Sequence, residues 1–246
     1  MWWQMGKFFF RHEERNGETV TVTGNTAHHL LNVLRLRVGH EIILCDGQSV
    51  DFRAKLLSIV EKPVSMVFTL LSQAPSNSEP AVQITLYQGL PKSDKMDWII
   101  EKCIEAGVHN IVPVCTARSV SKVKDSAKKS ERNSRIAESA ASQSMRGIIP
   151  EISSPKNFAE ALPACKHSLC LVAFENENKR TIKSALMDLQ PGPISLWIGP
   201  EGGFEESEIH ALEACGAIPV SLGPRILRSE TAGLFAISQI LCLWEK

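Results

Sequence analysis

The chain has no Cys-x-x-Cys, a single tyrosine and no net charge, since 27 Lys and Arg balance 27 Asp and Glu among its 246 residues. Its seven cysteines are odd in number and widely spaced. A disulfide framework is therefore not expected, and free thiols of a reducing compartment are. His28 and His29 are adjacent, and neighbouring side chains point different ways, so no metal site is expected. The neutral total argues against nonspecific coating of nucleic acid, which usually shows as a basic excess. No apolar run reaches the roughly 20 residues needed to span a bilayer. The longest, Ala232–Trp244, is broken by Ser238 and Gln239 and reads as a buried terminal helix. The start, MWWQMGKFFF, lacks a small-residue cleavage site, so no signal peptide and a cytoplasmic location are expected. Neither G-x-G-x-x-G nor G-x-x-x-x-G-K-[ST] occurs, which disfavours dinucleotides and nucleoside triphosphates.

What is present is ordinary in bulk and uneven in detail. Hydrophobic residues make up 43% and charged residues 22%, as in globular chains. The length allows one large domain or two smaller ones. From Arg118 to Arg146 eight basic residues, including Lys122, Lys124, Lys128 and Lys129, stand against three acidic ones. Between Ser184 and Pro224 there is no Lys or Arg, against six acids.

The pattern divides the chain. Residues 1–73 hold β-branched runs (VTVTG, HEIILCDG, VDFRAKLLSIV, SMVFTLL) and the helix-like AHHLLNVLRL, and they read as a small β-barrel or compact sheet. Phe8–Phe10 read as an edge strand. Residues 74–81 read as a Pro/Ser linker. Residues 82–246 alternate strands with helices, the sign of a mostly parallel sheet covered on both faces. Within DKMDWIIEKCIEAG, Met96, Ile99, Ile100, Cys103 and Ile104 recur at helical spacing, with Asp94 as N-cap and Gly107 as stop.

In parallel α/β sheets, ligands bind at the carboxyl ends of strands. Two glycine-proline loops stand there, GPEGGF after PISLWIG and GPRILRSET after AIPVSLG. Glycine permits close backbone approach. Glu201, Glu205, Glu206 and Glu208 would stabilise a helix start but repel a pyrophosphate. The loops therefore suit a neutral or cationic ligand.

The string LWIGPEGGFEESEI…LGPRILRSETA resembles the C-terminal signature of the SPOUT-class methyltransferases, and most closely the RsmE family, which methylates N3 of uracil in small-subunit (16S) ribosomal RNA. LPKSDKMDWIIEKCIEAGV and RIAESAASQSMRGIIPEI are similar to that family's upstream segments. HHLLNVLRLRVGHEIILCDG is similar to its PUA-like RNA-binding module. Ser93 stands where the family has glycine, and Ser142 where it has an acid. The resemblance implies an α/β, SPOUT-type parallel sheet with a deep trefoil knot, preceded by a small PUA-like β-barrel domain. It implies a homodimer without membrane or metal. S-adenosylmethionine, a cation without phosphates, would be held by Ile198, Gly199, Pro200, Glu201, Gly202 and Gly203 from one loop. Leu222, Gly223, Ile226, Leu227 and Thr231 would hold it from the other, and Phe174 or Glu175 would form a third wall.

The N3 lone pair is released only as its proton leaves, so positive charge must favour the anion. Arg228 is the candidate for that charge. Glu230 is the candidate for orienting Arg228 or accepting the proton; an ordinary ion pair and helix cap is the plainer alternative. N3 lies on the pairing edge, so the base must be unpaired or flipped out. RNA contacts are expected from Arg11, Arg35 and Arg37, and from Lys92, Lys95, Arg118, Lys122, Arg135 and Arg146, the last nearest the catalytic cleft. Trp2, Trp3 and Tyr87 are candidates for base stacking or, more simply, for packing. Met96 and Met145 read as core fillers. The competing functions are another SPOUT enzyme acting on ribose 2′-oxygen or transfer RNA, and a non-catalytic RNA-binding assembly factor.

Overall fold

Alternating apolar residues build the first sheet. β1 (Lys7–Phe9), β2 (Arg15–Asn16), β3 (Thr19–Thr23), β4 (Glu41–Cys45), β5 (Val50–Glu61) and β6 (Val64–Pro75) form six strands in the order β1-β4-β5-β6-β3-β2. The β1–β4 pair is parallel and the others are antiparallel. Phe52, Ala54 and Leu56 of β5 point inward with Met66 and Phe68 of β6 and Val20 and Val22 of β3. Period-two alternation puts these residues on one face. Two register shifts, between Arg53 and Ala54 and between Leu56 and Ser58, bend the long pair so that the sheet curls over its core. The helix-like segment is α1 (Gly24–His28) followed by a π-helical turn over His29–Val33.

The computed structural model describes residues 6–92, 95–120 and 127–245. Trp2, Trp3, Ser93, the Asp94 cap, Lys122 and Lys124 lie outside the described residues. The chain forms two units, Met1–Glu79 with Ala141–Ile149, and Pro80–Ala140 with Pro150–Lys246. The first unit thus takes in a segment far away in sequence. Its anchor is Arg146, whose guanidinium is 2% exposed and meets Glu79 at 2.7 Å. Ser49 donates its amide to the Gly147 carbonyl at 2.9 Å. Ser142 is hydrogen-bonded to the Lys7 carbonyl. The buried Lys7 ammonium lies 2.8 Å from Asp51 and 2.7 Å from Ser76 Oγ.

In the second unit, β7 (Ile84–Gly89), β8 (Asn110–Cys115), β9 (Glu151–Ile152), β10 (Lys156–Asn157), β11 (Leu169–Ala173), β12 (Ile194–Ile198) and β13 (Ile218–Val220) make an all-parallel sheet. The order is β10-β8-β7-β12-β11-β13, with β9 also beside β8. All five residues of β12 are buried, as a strand covered on both faces requires. On one face Tyr87 and Trp197, side by side on β7 and β12, stack at 4.6 Å within a cluster that includes Val172, Phe204 and Leu212. Tyr87 is thus a packing residue and not a platform for RNA bases.

The other face carries α2 (Lys95–Glu105), whose buried stripe is Met96, Ile99, Ile100, Cys103 and Ile104. The helix ends as its sequence predicts. Gly107 has φ +104°, its amide bonds to Ile104, and that of Val108 bonds to Cys103. This is the paired C-terminal cap that favours glycine. The remaining helices are α3 (Ala127–Gln143), α4 (Phe158–Ala161), α5 (Ile182–Leu186), α6 (Glu206–Ala214) and α7 (Ser229–Trp244). Among the described residues no helix is long and apolar enough to cross a membrane. All seven cysteines are free.

Candidate active site

The carboxyl ends of β11, β12 and β13 converge on one cavity of about 570 Å³. That is the size range of small-molecule sites. Three walls come from loops: Phe174, Glu175 and Asn178 after β11, Ile198–Gly203 after β12, and Ser221–Ser229 from β13 into α7. Lys95 of α2 and Ala232 of α7 complete the lining. Both glycine-proline loops therefore face the same space, as their matching positions after parallel strands require.

Two glycines set how closely the loops approach. A Cβ on Gly89 would lie 2.5 Å from both the nitrogen and Cδ of Pro200. Backbone meets backbone here, so neither side can yield without moving a loop. Gly89→Ala is expected to cost roughly 1–3 kcal/mol. In a chain of this size the melting temperature falls about 2–4 °C per kcal/mol. An unshifted melting curve would show that the loops are free to part. Gly203 has φ +68°, and its missing Cβ leaves room for the Glu175 carboxylate, which would sit 2.5 Å from it.

The charges are arranged in pairs. Lys95 Nζ lies 3.0 Å from Glu201 and 3.1 Å from Glu230. The Lys92 amide donates to Glu201 at 3.1 Å. Hydrogen bonds that Lys95 donates to Glu201 and then to Glu230 push its pKa above its ordinary value. Desolvation works against the Glu201 carboxylate, but its own backbone amide and Lys95 outweigh it and hold the pKa below the usual range. Arg118 donates to the Gly202 carbonyl at 2.8 Å and steadies the same loop. Glu208 is buried, accepts the Ala117 amide at 2.8 Å and caps α6 by accepting the Glu205 amide at 3.0 Å. Glu201, the acid of the GPEGGF segment, is thus paired within the fold. Among the described residues, Glu175 has no hydrogen-bond or ion-pair partner and is the carboxylate left for a ligand.

Of the residues expected at this site, Ile198, Gly199, Pro200, Glu201, Gly202, Gly203, Leu222, Gly223, Ile226 and Leu227 line the cavity together with Arg228. Ile226 is 94% exposed, so it forms the rim. Arg228 is 81% exposed and 3.9 Å from Glu230, which is only 15% exposed. Three other residues have surroundings that the sequence did not show. Thr231 is not among the residues that line the cavity, and its amide closes the first turn of α7 on the Arg228 carbonyl. Lys95, expected to meet RNA, is in the cavity wall between two carboxylates. Arg146, expected near the catalytic cleft, is buried and held by Glu79, so it presents no charge to RNA. Arg11, Arg35, Arg37, Lys92, Arg118 and Arg135 are exposed. Arg35 adopts a left-handed backbone, φ +53°, where the π-helical turn gives way to coil.

Sequence reasoning missed Gln88 and Ser229. Gln88 Nε2 donates to Ser229 Oγ at 3.0 Å, and Ser229 Oγ donates to the Gly199 carbonyl at 2.6 Å. The available signal was one amide side chain at the end of an otherwise apolar strand, just before glycine. Ser229 read as a cap residue, but Arg228 holds the N-cap position.

Comparison with known proteins agrees with this arrangement. Residues 77–241 match the RNA methyltransferase domain model, and residues 22–66 match the RNA methyltransferase PUA domain model. The chain is 37% identical over 230 residues to ribosomal RNA small subunit methyltransferase E of Bacillus subtilis, covering 90% of this chain and 89% of that protein. It is 35% identical to the protein of the same name from Synechocystis, covering 92% and 74%. The crystal structure of a ribosomal RNA small subunit methyltransferase E from Neisseria gonorrhoeae bound to S-adenosyl methionine superposes with TM-score 0.86 at 33% identity, covering 98% of both chains. By sequence, fold and the loops that enclose the cavity, the chain belongs to the ribosomal RNA small subunit methyltransferase E family.

Proposed function

We propose that this protein uses S-adenosylmethionine to methylate N3 of a uridine in the 16S RNA of the small ribosomal subunit. The observation that carries this reading is the loop-walled cavity at the carboxyl ends of the strands, with its acids paired except for Glu175. The residues fit the cofactor. Glycines 199 and 203 open the walls, and a free carboxylate suits a cation or hydroxyl groups, whereas a polyphosphate would need bases turned inward. When bound, S-adenosylmethionine supplies an activated methyl group on a sulfonium.

The chain supplies the rest. Arg228 stands at the exposed rim, where it can meet a uracil oxygen and favour the anion that forms as the N3 proton leaves. Glu230, anchored by Lys95, restrains Arg228 and takes the proton through water. The base enters flipped out of its stack. The exposed Arg11, Arg35 and Arg37 of the first unit, and Lys92, Arg118 and Arg135 of the second, are its RNA-contacting cations. The first unit, Met1–Glu79 with Ala141–Ile149, serves as the RNA-binding module, and the second, Pro80–Ala140 with Pro150–Lys246, as the knotted catalytic domain. The active form is a homodimer that works in the cytoplasm, where small subunits are made.

The test is to incubate small subunits and naked 16S RNA, both lacking the modification, with methyl-labelled cofactor and to identify the labelled nucleoside. The expected product is 3-methyluridine, from at least one of the two substrates. Label on ribose, on another base or on transfer RNA alone would overturn the assignment.

A further inference from the structure

We infer that Gln88 and Ser229 act together as a positioning pair that sets the shape of the cofactor cavity by fixing the Gly199 carbonyl. The inference rests on the function proposed above and names residues that the signature loops did not reveal.

Gln88 is the penultimate residue of β7 and is fully buried. Its Nε2 donates to Ser229 Oγ at 3.0 Å, to the Gly89 carbonyl at 3.1 Å and, at 3.5 Å, to the Gly199 carbonyl. A serine hydroxyl has one proton to give. Since the shortest contact of Ser229 Oγ is to the Gly199 carbonyl, at 2.6 Å, the hydroxyl donates there and accepts from Gln88. The direction of every bond in the chain Gln88, Ser229, Gly199 is thereby set.

The three groups come from three parts of the fold: the end of β7, the start of α7 and the loop after β12. Gly199 has no slack of its own, since a Cβ there would lie 3.0 Å from the Cα of Gly203. Fixing its carbonyl therefore fixes the loop wall that follows.

Neither polar side chain is required where it stands for the fold alone. Arg228 occupies the N-cap position of α7, and its carbonyl accepts the amides of Thr231 and Ala232, so the Ser229 hydroxyl is not needed as a cap. The Gln88 Oε1 atom is buried with no hydrogen-bond partner, an arrangement that weakens the core. An apolar side chain would pack there without that burden. The amide is present for what its nitrogen holds.

The test uses the full chain and four variants: Ser229→Ala, Ser229→Thr, Gln88→Met and the Ser229→Ala/Gln88→Met double variant. Calorimetry gives the Kd for S-adenosylmethionine, thermal unfolding without cofactor gives stability, and turnover on small subunits separates kcat from KM. Loss of one buried hydrogen bond predicts a Kd raised about tenfold for Ser229→Ala and for Gln88→Met. Because both act through one carbonyl, the double variant should bind only slightly worse than either single one. Ser229→Thr keeps the hydroxyl and should return affinity to within about threefold of the parent. KM for the cofactor should rise with Kd while kcat changes less. The inference is overturned if folded variants bind within about twofold of the parent while melting earlier, if the two losses simply add, or if Ser229→Thr binds as poorly as Ser229→Ala. A parent protein that binds no S-adenosylmethionine would instead overturn the proposed function, and this inference with it.

Discussion

Arg228→Ala should lower methyl transfer to the small subunit by about two to three orders of magnitude, the effect of removing a single preorganised donor from a developing oxyanion. The Kd for S-adenosylmethionine should stay within about threefold of the parent, because this side chain is 81% exposed at the rim of the cavity. Stability should barely move, by about 0.5 kcal/mol at most, as for exposed residues generally. Arg228→Lys keeps the charge but loses the planar guanidinium fork, and should fall between the two. The readout is single-turnover transfer of labelled methyl alongside calorimetric binding. Normal turnover by Arg228→Ala would remove it from the chemistry and leave it as the ion-pair partner of Glu230.

The second large effect lies in the first unit. Glu79 accepts two hydrogen bonds from Arg146, at 2.7 and 2.9 Å, and one from the Gly147 amide at 2.6 Å. Glu79→Gln removes the carboxylate that pairs with the buried Arg146, and breaking such a pair costs about 3–5 kcal/mol. The loss is measured as a shift of the denaturation midpoint. An unchanged midpoint would show that solvent reaches Arg146 after all.

The same pair gives a signed pH dependence. Burial raises the Glu79 pKa, but the Arg146 guanidinium and the amides of Gly147 and Ile148 outweigh it and leave the carboxyl below its ordinary value. The unfolded chain therefore takes up a proton before the folded one does. The stabilisation is fully present above the unfolded pKa, about 4.3, and is lost as pH falls through the lower folded value. Glu79→Gln should flatten that part of the acid limb.

Much of the site was legible because its signal is local. The two glycine-proline loops announce themselves by composition, and parallel-sheet geometry brings them together without knowledge of any distance. Gly107 could be placed because a helix stop depends on its neighbours alone. The surroundings of Arg146 and Lys95 were hidden for the opposite reason. Their surroundings are set by partners far off in sequence, Glu79 at a separation of 67 residues and Glu230 at 135, and a lone basic residue carries no mark of its partner. The placing of Thr231 depends on helix phase, since its position in the first turn of α7 is set by where the cap falls. Gln88 went unseen because a buried amide in a strand differs from its apolar neighbours by only one residue type. The neutral charge total was the least informative feature, whereas its division into an arginine- and lysine-rich stretch and an acidic one marks off the segment around the cofactor loops.

The bond between Gln88 and Ser229 spans 141 residues. A ribosome adding roughly 5–20 residues each second takes about 7 to 28 seconds to make that span. Throughout the interval β7 waits with its amide unmatched, and the partners that define the cavity arrive last, with α7. Such distant pairings close slowly. A nascent chain can therefore hold its first sheet and much of its second while remaining blind to the methyl donor. Competence to bind it therefore waits until α7 has been made.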